Sequence, residues 1–505
     1  MADLLSALPI ELLSIIGCAI TSSDVAALLL VNKPLNDRLT PTLYASVDIA
    51  DHNIAQDCIR TLSTAPSALA FGRDLAALVR SFSIKQPGKA KLARRLSRAV
   101  GRMTGLQHFT LSATDMCSPN VCVALVRAAG PTLRSLHIKP DDEYRWADGS
   151  DAGVLRDTRA AFPELTSIWL ELAERIPWLE FFQPILTSRA GHLRKLRVAL
   201  SAAPMLASPL LCSAPAWPHL QELELGVPDA PLATLPSTPN VRKLTLHWSV
   251  PAYALPQLVL PPGAFPALES LRCPYELLPI FLPAHARRQR PIRTVRLNDA
   301  YFDEAGVGNG AFSLADCLNW AAVLEALRCL SRSAGPVTDL SFYVSCFDAG
   351  LFGEGLAPCA ATLERLLVVL GEDPDRESAI ATFGKTLFAH APRLRTFLLS
   401  DAAVKADDDS QMAPWMSFSF ARERNKQLGW LQEWEKHTAA LKTVAFTTEF
   451  VWTKTEDGWQ ASPPKRCNQD SDDFEDYDDN EEFDDDEEDD DGAVESDDSV
   501  LFKPK

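Results

Sequence analysis

The chain of 505 residues is long for one ordinary globular domain and suits two domains or one elongated domain. Its hydrophobic content of 47% and charged content of 23% allow a sizeable buried core, so most of the chain should fold. The net charge of −18 is local: residues 470–498 carry 20 Asp and Glu and no Lys or Arg, which leaves 47 acidic and 49 basic residues elsewhere.

The sequence carries no sign of secretion or membrane insertion. The apolar N-terminus lacks a basic start and is interrupted by Asp3 and Glu11, so no signal peptide is expected. No run of about 18 apolar residues occurs, so we expect no membrane partner. The 11 Cys residues form no CxxC pair and predict reduced thiols. We therefore expect a protein of the cytoplasm, the nucleus or both.

Residues 4–49 predict a module of three short helices followed by a strand. Pro9 and Glu11 open the first helix, which ends near Ala19. The second helix is predicted from Val25 to Val31, after the N-cap candidates of the sequence SSD. The third is predicted over residues 33–39, with a proline stopping it at position 41, and LYASVDI follows as a strand. A module this small is hard to stabilise alone and should pack on a neighbour or a partner.

Residues 85–102 are basic and predict a further helix. They contain seven Lys and Arg and no acid, and Leu92, Leu96 and Val100 form an apolar stripe. The basic face is a solvated surface, a partner patch, a nucleic-acid patch or a docking site for the acidic tail. No aromatic residues alternate with the basic ones, so nucleic acid is not the expected partner.

The pattern apolar-x-x-apolar-x-apolar recurs along most of the chain at separations that are mostly 21 to 32 residues. Its period-2 alternation predicts a strand with one buried face, and the intervening residues leave room for a helix or an irregular segment. Such units bury their apolar faces by stacking. We therefore predict an α/β solenoid with parallel strands on its concave face and helices or irregular segments outside. The copies begin at Val79, Leu106, Leu133, Leu165, Leu193, Leu220, Val241, Leu268, Ile292, Val337, Leu363, Leu394 and Leu441.

Two longer gaps between copies predict helices of their own. Residues 313–330 carry an apolar stripe at helical spacing. The gap before Leu441 ends in a helix with Trp430 and Trp434, for which core packing is the expected role.

The fifth residue of each copy should point away from the core and toward a partner, as do the third and seventh. Aromatic and Arg side chains are the usual energetic anchors of interfaces. We therefore predict a substrate surface centred on the tryptophan and the arginines of the fifth position, whose replacement by Ala should abolish partner capture. The predicted substrate-binding residues are His137, Trp169, Arg197, Glu224, Arg272 and Arg296.

The acidic segment 470–498 cannot bury enough apolar area to fold. We predict a disordered tail over residues 456–505, which serves for solubility or recruits a basic partner. The predicted domains are thus 1–50, a helical module; 51–455, a solenoid; and 456–505, the tail.

Two resemblances follow from these segments. The recurring LxxLxL pattern resembles degenerate leucine-rich repeats over roughly residues 75–450, although the Asn or Cys usual after the third Leu is mostly missing. The start LPxELL, the segment SSDVAALLLVNK and the downstream LYASV resemble the F-box of fungal F-box proteins. The third helix departs from that family, because Leu35 stands where a Trp is usual.

The F-box resemblance implies a substrate-recognition subunit that docks on a Skp-type adaptor of a cullin–RING ubiquitin ligase. The repeats would then hold an unknown protein substrate. Helix-in-groove docking uses apolar anchors. The implied adaptor-binding residues are Leu8, Pro9, Ile10, Leu12, Leu13, Ile16, Leu28, Val31 and Leu35.

No motif of catalytic or metal chemistry appears in the sequence. G-x-S-x-G, HExxH and the P-loop are missing, and the 9 His residues are scattered. We therefore expect no enzyme activity, cofactor or metal in this chain. Two other functions stay open: a repeat scaffold without ligase engagement, and an acidic-tail protein that binds basic, histone-like partners.

Overall fold

The computed structural model describes most of the chain up to residue 462, and all structural statements below refer to these residues. They all belong to one compact unit, Met1–Pro464. The acidic tail 470–498, the part of the basic stretch before residue 91 and residues 313–319 of a predicted helix therefore lie outside them. The described ranges are 8–49, 52–64, 74–84, 91–112, 118–139, 161–172, 176–200, 216–226, 237–247, 260, 263–284, 289–298, 320–344, 354–370, 376–400, 423–446 and 450–462.

The described strands form one 16-stranded sheet in which spatial order follows chain order from β1 to β16. Strands β1 to β14 are parallel, whereas β14, β15 and β16 pair antiparallel. The strands are β1 Ser46–Ile49, β2 Ser81–Ile84, β3 His108–Leu111, β4 Ser135–Ile138, β5 Ser167–Leu172, β6 Lys195–Leu200, β7 Glu222–Gly226, β8 Lys243–His247, β9 Ser270–Pro274, β10 Thr294–Asn298, β11 Asp339–Val344, β12 Arg365–Leu370, β13 Thr396–Ser400, β14 Thr443–Ala445, β15 Val451–Thr455 and β16 Gly458–Ser462.

The repeat explains these strands. Each of the thirteen copies contains one strand from β2 to β14, which begins at the third position of the copy. The first, fourth and sixth positions are buried, as Leu165, Ile168 and Leu170 illustrate. The fifth position alternates to the opposite face of the sheet. The predicted α/β architecture of stacked strand–connection–strand units is thus confirmed.

Helices cover the core face of the sheet. Leu96, Leu125 and Ile185 belong to the same buried cluster as the strand leucines. Trp434 belongs to it as well and is 0% exposed, as predicted for core packing. The helices are α1 Ile10–Ala19, α2 Ser22–Leu29, α3 Lys33–Ala45, α4 His52–Ser63, α5 Leu75–Leu78, α6 Lys91–Val100, α7 Pro119–Ala129, α8 Ile176–Arg189, α9 Leu278–Phe281, α10 Trp320–Cys329, α11 Leu356–Ala360, α12 Arg376–Phe383 and α13 Arg424–Glu435.

Two boundaries of the N-terminal helices differ from the prediction. Helix α2 begins earlier, because Thr21 is its N-cap: its hydroxyl accepts from Asp24 N, and the Asp24 carboxylate accepts from Thr21 N. Helix α3 does not stop at Pro41 but continues to Ala45. Pro41 costs this helix one backbone hydrogen bond, and its exposed ring is tolerated.

The C-terminal boundary of the sheet also differs. The predicted tail begins at residue 456, but β15 and β16 form a hairpin whose turn spans that position. Gly458 supplies the positive φ of 106° there. Trp452 anchors the hairpin, since its buried Nε1 donates to Gln427 Oε1 of α13 over 2.6 Å. The described sheet therefore extends to residue 462.

Candidate functional site

The predicted substrate-binding residues lie in one row across the sheet. Register pairs His137 with Trp169, Trp169 with Arg197, and Arg197 with Glu224. Thr245 follows, and it pairs with Arg272, which pairs with Arg296. We call these side chains the fifth-position row. The period-2 alternation that buries the fourth and sixth positions brings all of them to the face opposite the core.

Trp169 is enclosed between its two neighbours in the row. The His137 ring stacks on one face with 3.5 Å between centroids and 4° between planes. The Arg197 guanidinium carbon lies 3.8 Å from the centroid of the Trp169 ring. This contact is a cation–π interaction, and the strand spacing of about 4.8 Å makes such stacking natural. The faces of Trp169 are therefore occupied, and a partner would meet its edge.

Two carboxylates balance the charges of this row. Glu224 Oε1 forms an ion pair with Arg197 Nε at 2.9 Å and accepts a hydrogen bond from His247 Nε2 at 2.7 Å. Burial raises the pKa of Glu224, but the hydrogen bond from His247 and the charge of Arg197 outweigh it and hold the pKa below its usual value. This part of the row is an ion network rather than a set of separate charges.

Glu171 forms the second network. Its carboxylate lies 3.0 Å from Lys139 Nζ and 3.8 Å from His137 Nε2. Burial raises its pKa, but the interactions with His137 and with the Lys139 ammonium dominate and lower the pKa to about 2. Burial lowers the pKa of His137. The predicted site did not include Glu171 and His247. Both occupy the seventh position of their copies, which the repeat pattern places on the same face as the fifth position.

The N-terminal helices form a module with its own small core. Leu13, Val25, Leu35 and Leu39 are at most 2% exposed and cluster apart from the main core. Leu13 and Leu35, two of the predicted docking residues, lie in this core and are not part of the exposed surface of the module. Leu35 fills this core, where the resembled family usually has Trp.

Other apolar side chains of the module face solvent. Leu12 is 47% and Ile15 64% exposed on α1, and Leu30 is 88% and Val31 50% exposed in the turn after α2. Of the predicted docking residues, Pro9 is exposed and Leu8, Ile16 and Leu28 are partly exposed, whereas the Ile10 side chain lies outside the described set. The prediction missed Ile15 and Leu30. The spacing of Ile15 three residues after Leu12 could have revealed it.

The described residues offer little to metal or thiol chemistry. No group of three or more His, Cys, Asp and Glu among them could hold a metal ion. Five described cysteines are free, and burial raises the pKa of Cys58 to about 11 and that of Cys359 to about 12. A thiol with so high a pKa is a poor nucleophile at neutral pH. None of the described helices is long and apolar enough to cross a membrane.

Comparisons with known proteins add little to this geometry. No family model matches the sequence, and no curated protein matches it. Among solved structures, the crystal structure of the Rad7 and Elc1 complex in yeast is similar with a TM-score of 0.34 and 11% sequence identity. The likeness covers 72% of this chain and 86% of that chain. A likeness of this size carries no argument about function.

Proposed function

We propose that this chain is a non-catalytic substrate receptor of a Skp–cullin–F-box ubiquitin ligase, working in the cytoplasm, the nucleus or both. The N-terminal module binds the adaptor, the sheet holds the substrate protein, and partner subunits transfer ubiquitin. The observation that carries the proposal is the apolar surface of that module. Leu12, Ile15, Leu30 and Val31 are between 47% and 88% exposed, although other apolar side chains of the module already form a buried core.

Exposure of this kind is what helix-in-groove docking requires. Apolar side chains on the surface of a small helical module do not contribute to its own core. Each one that becomes fully buried against a partner contributes about 1.5–3 kcal/mol to the free energy of binding. The described part of the chain holds five large hydrophobic side chains with this degree of exposure, and four of them lie in the module. The fifth, Ile54, lies on α4 and is 62% exposed.

The fifth-position row is the proposed substrate surface. It combines the edge of Trp169 with the arginines at positions 197, 272 and 296, and residue types of this kind anchor many interfaces. The His137–Trp169–Arg197 stack holds the row rigid, which reduces the entropy lost when a partner binds.

Co-purification tests adaptor docking. The full chain should capture a Skp-type adaptor, and the double variant Ile15→Asp with Leu30→Asp should lose that capture while keeping its thermal transition. Ile54→Asp is the matched control, since it introduces the same charge at a similarly exposed site on α4. Adaptor binding that survives the double variant, or that Ile54→Asp abolishes equally, would favour the alternative of a repeat scaffold without ligase engagement.

A further inference from the structure

A second row of side chains runs along the edge where the parallel strands begin. It consists of Arg134, Thr166, Arg194, Gln221 and Arg242, the second positions of the copies that form β4 to β8, and we call it the second-position row. The backbone fixes this row. Each member after Arg134 donates its N–H to the carbonyl of the member before it, over 2.8 to 2.9 Å.

The arginines of this row lack the neutralisation seen elsewhere on the sheet. Arg134 and Arg194 are exposed, and their side chains form no ion pair with any residue the structure describes. Arg242 has a carboxylate of Glu269 at 3.9 Å, and both side chains are about half or more exposed. Such a pair contributes little. Lys195, the residue after Arg194, does have a close ion pair, since its Nζ lies 2.9 Å from Glu222 Oε1.

The surroundings of the row are basic as well. We consider the described turns before β4 to β8 together with the first three positions of the corresponding copies. They carry five Lys and Arg residues but only two acids, Glu164 and Glu222. A surface depression of about 500 Å³ opens at the centre of the row beside Arg194. His192, His219, Gln221 and Glu164 line it. The first three, together with Arg194, can donate hydrogen bonds to a carboxylate side chain that enters the depression, whereas Glu164 repels it.

The spacing of the arginines narrows the choice of ligand. Arginine occupies every second strand of the row, and two strand spacings make about 9.6 Å. One turn of a polyproline II helix takes three residues and rises about 9.3 Å. A segment in this conformation therefore presents every third side chain on one face at nearly the same interval as the arginines.

We propose that the second-position row binds an extended acidic protein segment in the polyproline II conformation, with Asp or Glu at every third residue. Three carboxylates meet Arg134, Arg194 and Arg242, and the central one enters the depression beside Arg194. The segment crosses the strands at the edge of the sheet, next to the fifth-position face. This inference rests on the proposed function, since it names the chemistry of the substrate that the receptor would hold.

Fluorescence anisotropy with synthetic peptides tests the proposal without any adaptor. One peptide of about ten residues carries Glu at every third position among Pro and Ala, and a second has the same composition with its Glu residues contiguous. The full chain should bind the first more tightly. The triple variant Arg134→Ala, Arg194→Ala and Arg242→Ala should weaken this binding about tenfold, because three exposed ion pairs are lost.

The matched control removes the same charge elsewhere. Arg94, Arg95 and Arg98 are exposed on α6, and their replacement by Ala should change the peptide Kd by less than about twofold at 0.15 M salt. A full chain in which the Asp and Glu residues of 470–498 are replaced by Asn and Gln repeats the titration without competition from its own carboxylates.

Three outcomes would overturn the proposal: equal binding of the two peptides, binding unaffected by the triple variant, or tighter binding of a helical peptide with Glu at every seventh residue. None of them bears on adaptor capture, which the N-terminal variants test separately. Loss of adaptor capture likewise leaves the peptide result intact, so a failure of this inference and a failure of the proposed function are distinguishable.

Discussion

At the scale of single residues, the fifth-position row shows how a repeat turns isolated side chains into a network. Trp169 lies between His137 and Arg197 because the three occupy equivalent positions on adjacent strands. Arg197 in turn forms an ion pair with Glu224. Each member is therefore held by its neighbours, and changing one should alter the geometry of the next.

Glu171 gives this network a pH dependence. Its folded pKa of about 2 lies below the ordinary value of 4.5, so its contribution to stability is complete above pH 4.5 and is lost as the pH falls toward 2. Glu171→Gln should lower the free energy of unfolding by about 1–3 kcal/mol at pH 7, since hydrogen bonds to a charged partner are lost. Urea unfolding of both proteins from about pH 7 to about pH 3 should show this difference narrowing below about pH 4.5.

Glu222→Gln is the control for Glu171→Gln. The Glu222 side chain is 41% exposed, and among the described residues its ion pair is with Lys195, so its replacement should cost less. An unfolding free-energy difference for Glu171→Gln that stays constant down to pH 3 would show that the carboxylate is not the stabilising group.

At the scale of secondary-structure elements, the pattern of the sequence predicted strands better than helix ends. A period-2 pattern that begins with an apolar residue at a fixed position leaves one register in which the core is apolar, and this register located β2 to β14. Helix ends depend on local hydrogen bonds. Thr21 rather than the following serines caps α2, and α3 passes through Pro41. Leu13 and Leu35 are buried in the core of the N-terminal module, and apolar spacing alone does not distinguish such a core from a docking surface.

The cap of α2 is open to a direct test. Thr21→Ala removes the hydroxyl that accepts from Asp24 N and breaks the reciprocal capping box. The variant should lose about 1 kcal/mol of stability in the N-terminal module. Hydrogen exchange resolved by segment should show faster exchange over residues 21–29, with the strands β4 to β13 unchanged.

Ser23→Ala provides the comparison for Thr21→Ala. Ser23 is exposed in the first turn of the same helix and is not the cap, so its removal should leave exchange nearly unchanged. Equal effects of the two variants would mean that the capping box does not hold α2.

At the scale of the whole described unit, the sheet grows in one dimension, since each strand from β2 to β13 pairs only with its neighbours in sequence. An array of this kind needs protected ends. At the C-terminal end the direction of pairing changes, and the β15–β16 hairpin covers β14 antiparallel. Trp452 is 4% exposed and bonds Gln427, so the hairpin is packed on the core rather than attached at the edge alone.

Removal of the hairpin should therefore expose an edge that other chains can pair with. A chain that ends at residue 449 leaves β14 with an open ladder and uncovers the apolar surface under Trp452. Unpaired parallel edges of this kind template association. Size-exclusion chromatography with light scattering should show oligomers or aggregates of this chain. A chain that ends at residue 464 keeps the hairpin, and at the same concentrations it should have the same mass distribution as the full protein. Both truncated chains lack the tail, so a difference between them is due to the hairpin alone. Identical behaviour of the two truncated chains would show that β14 needs no cap.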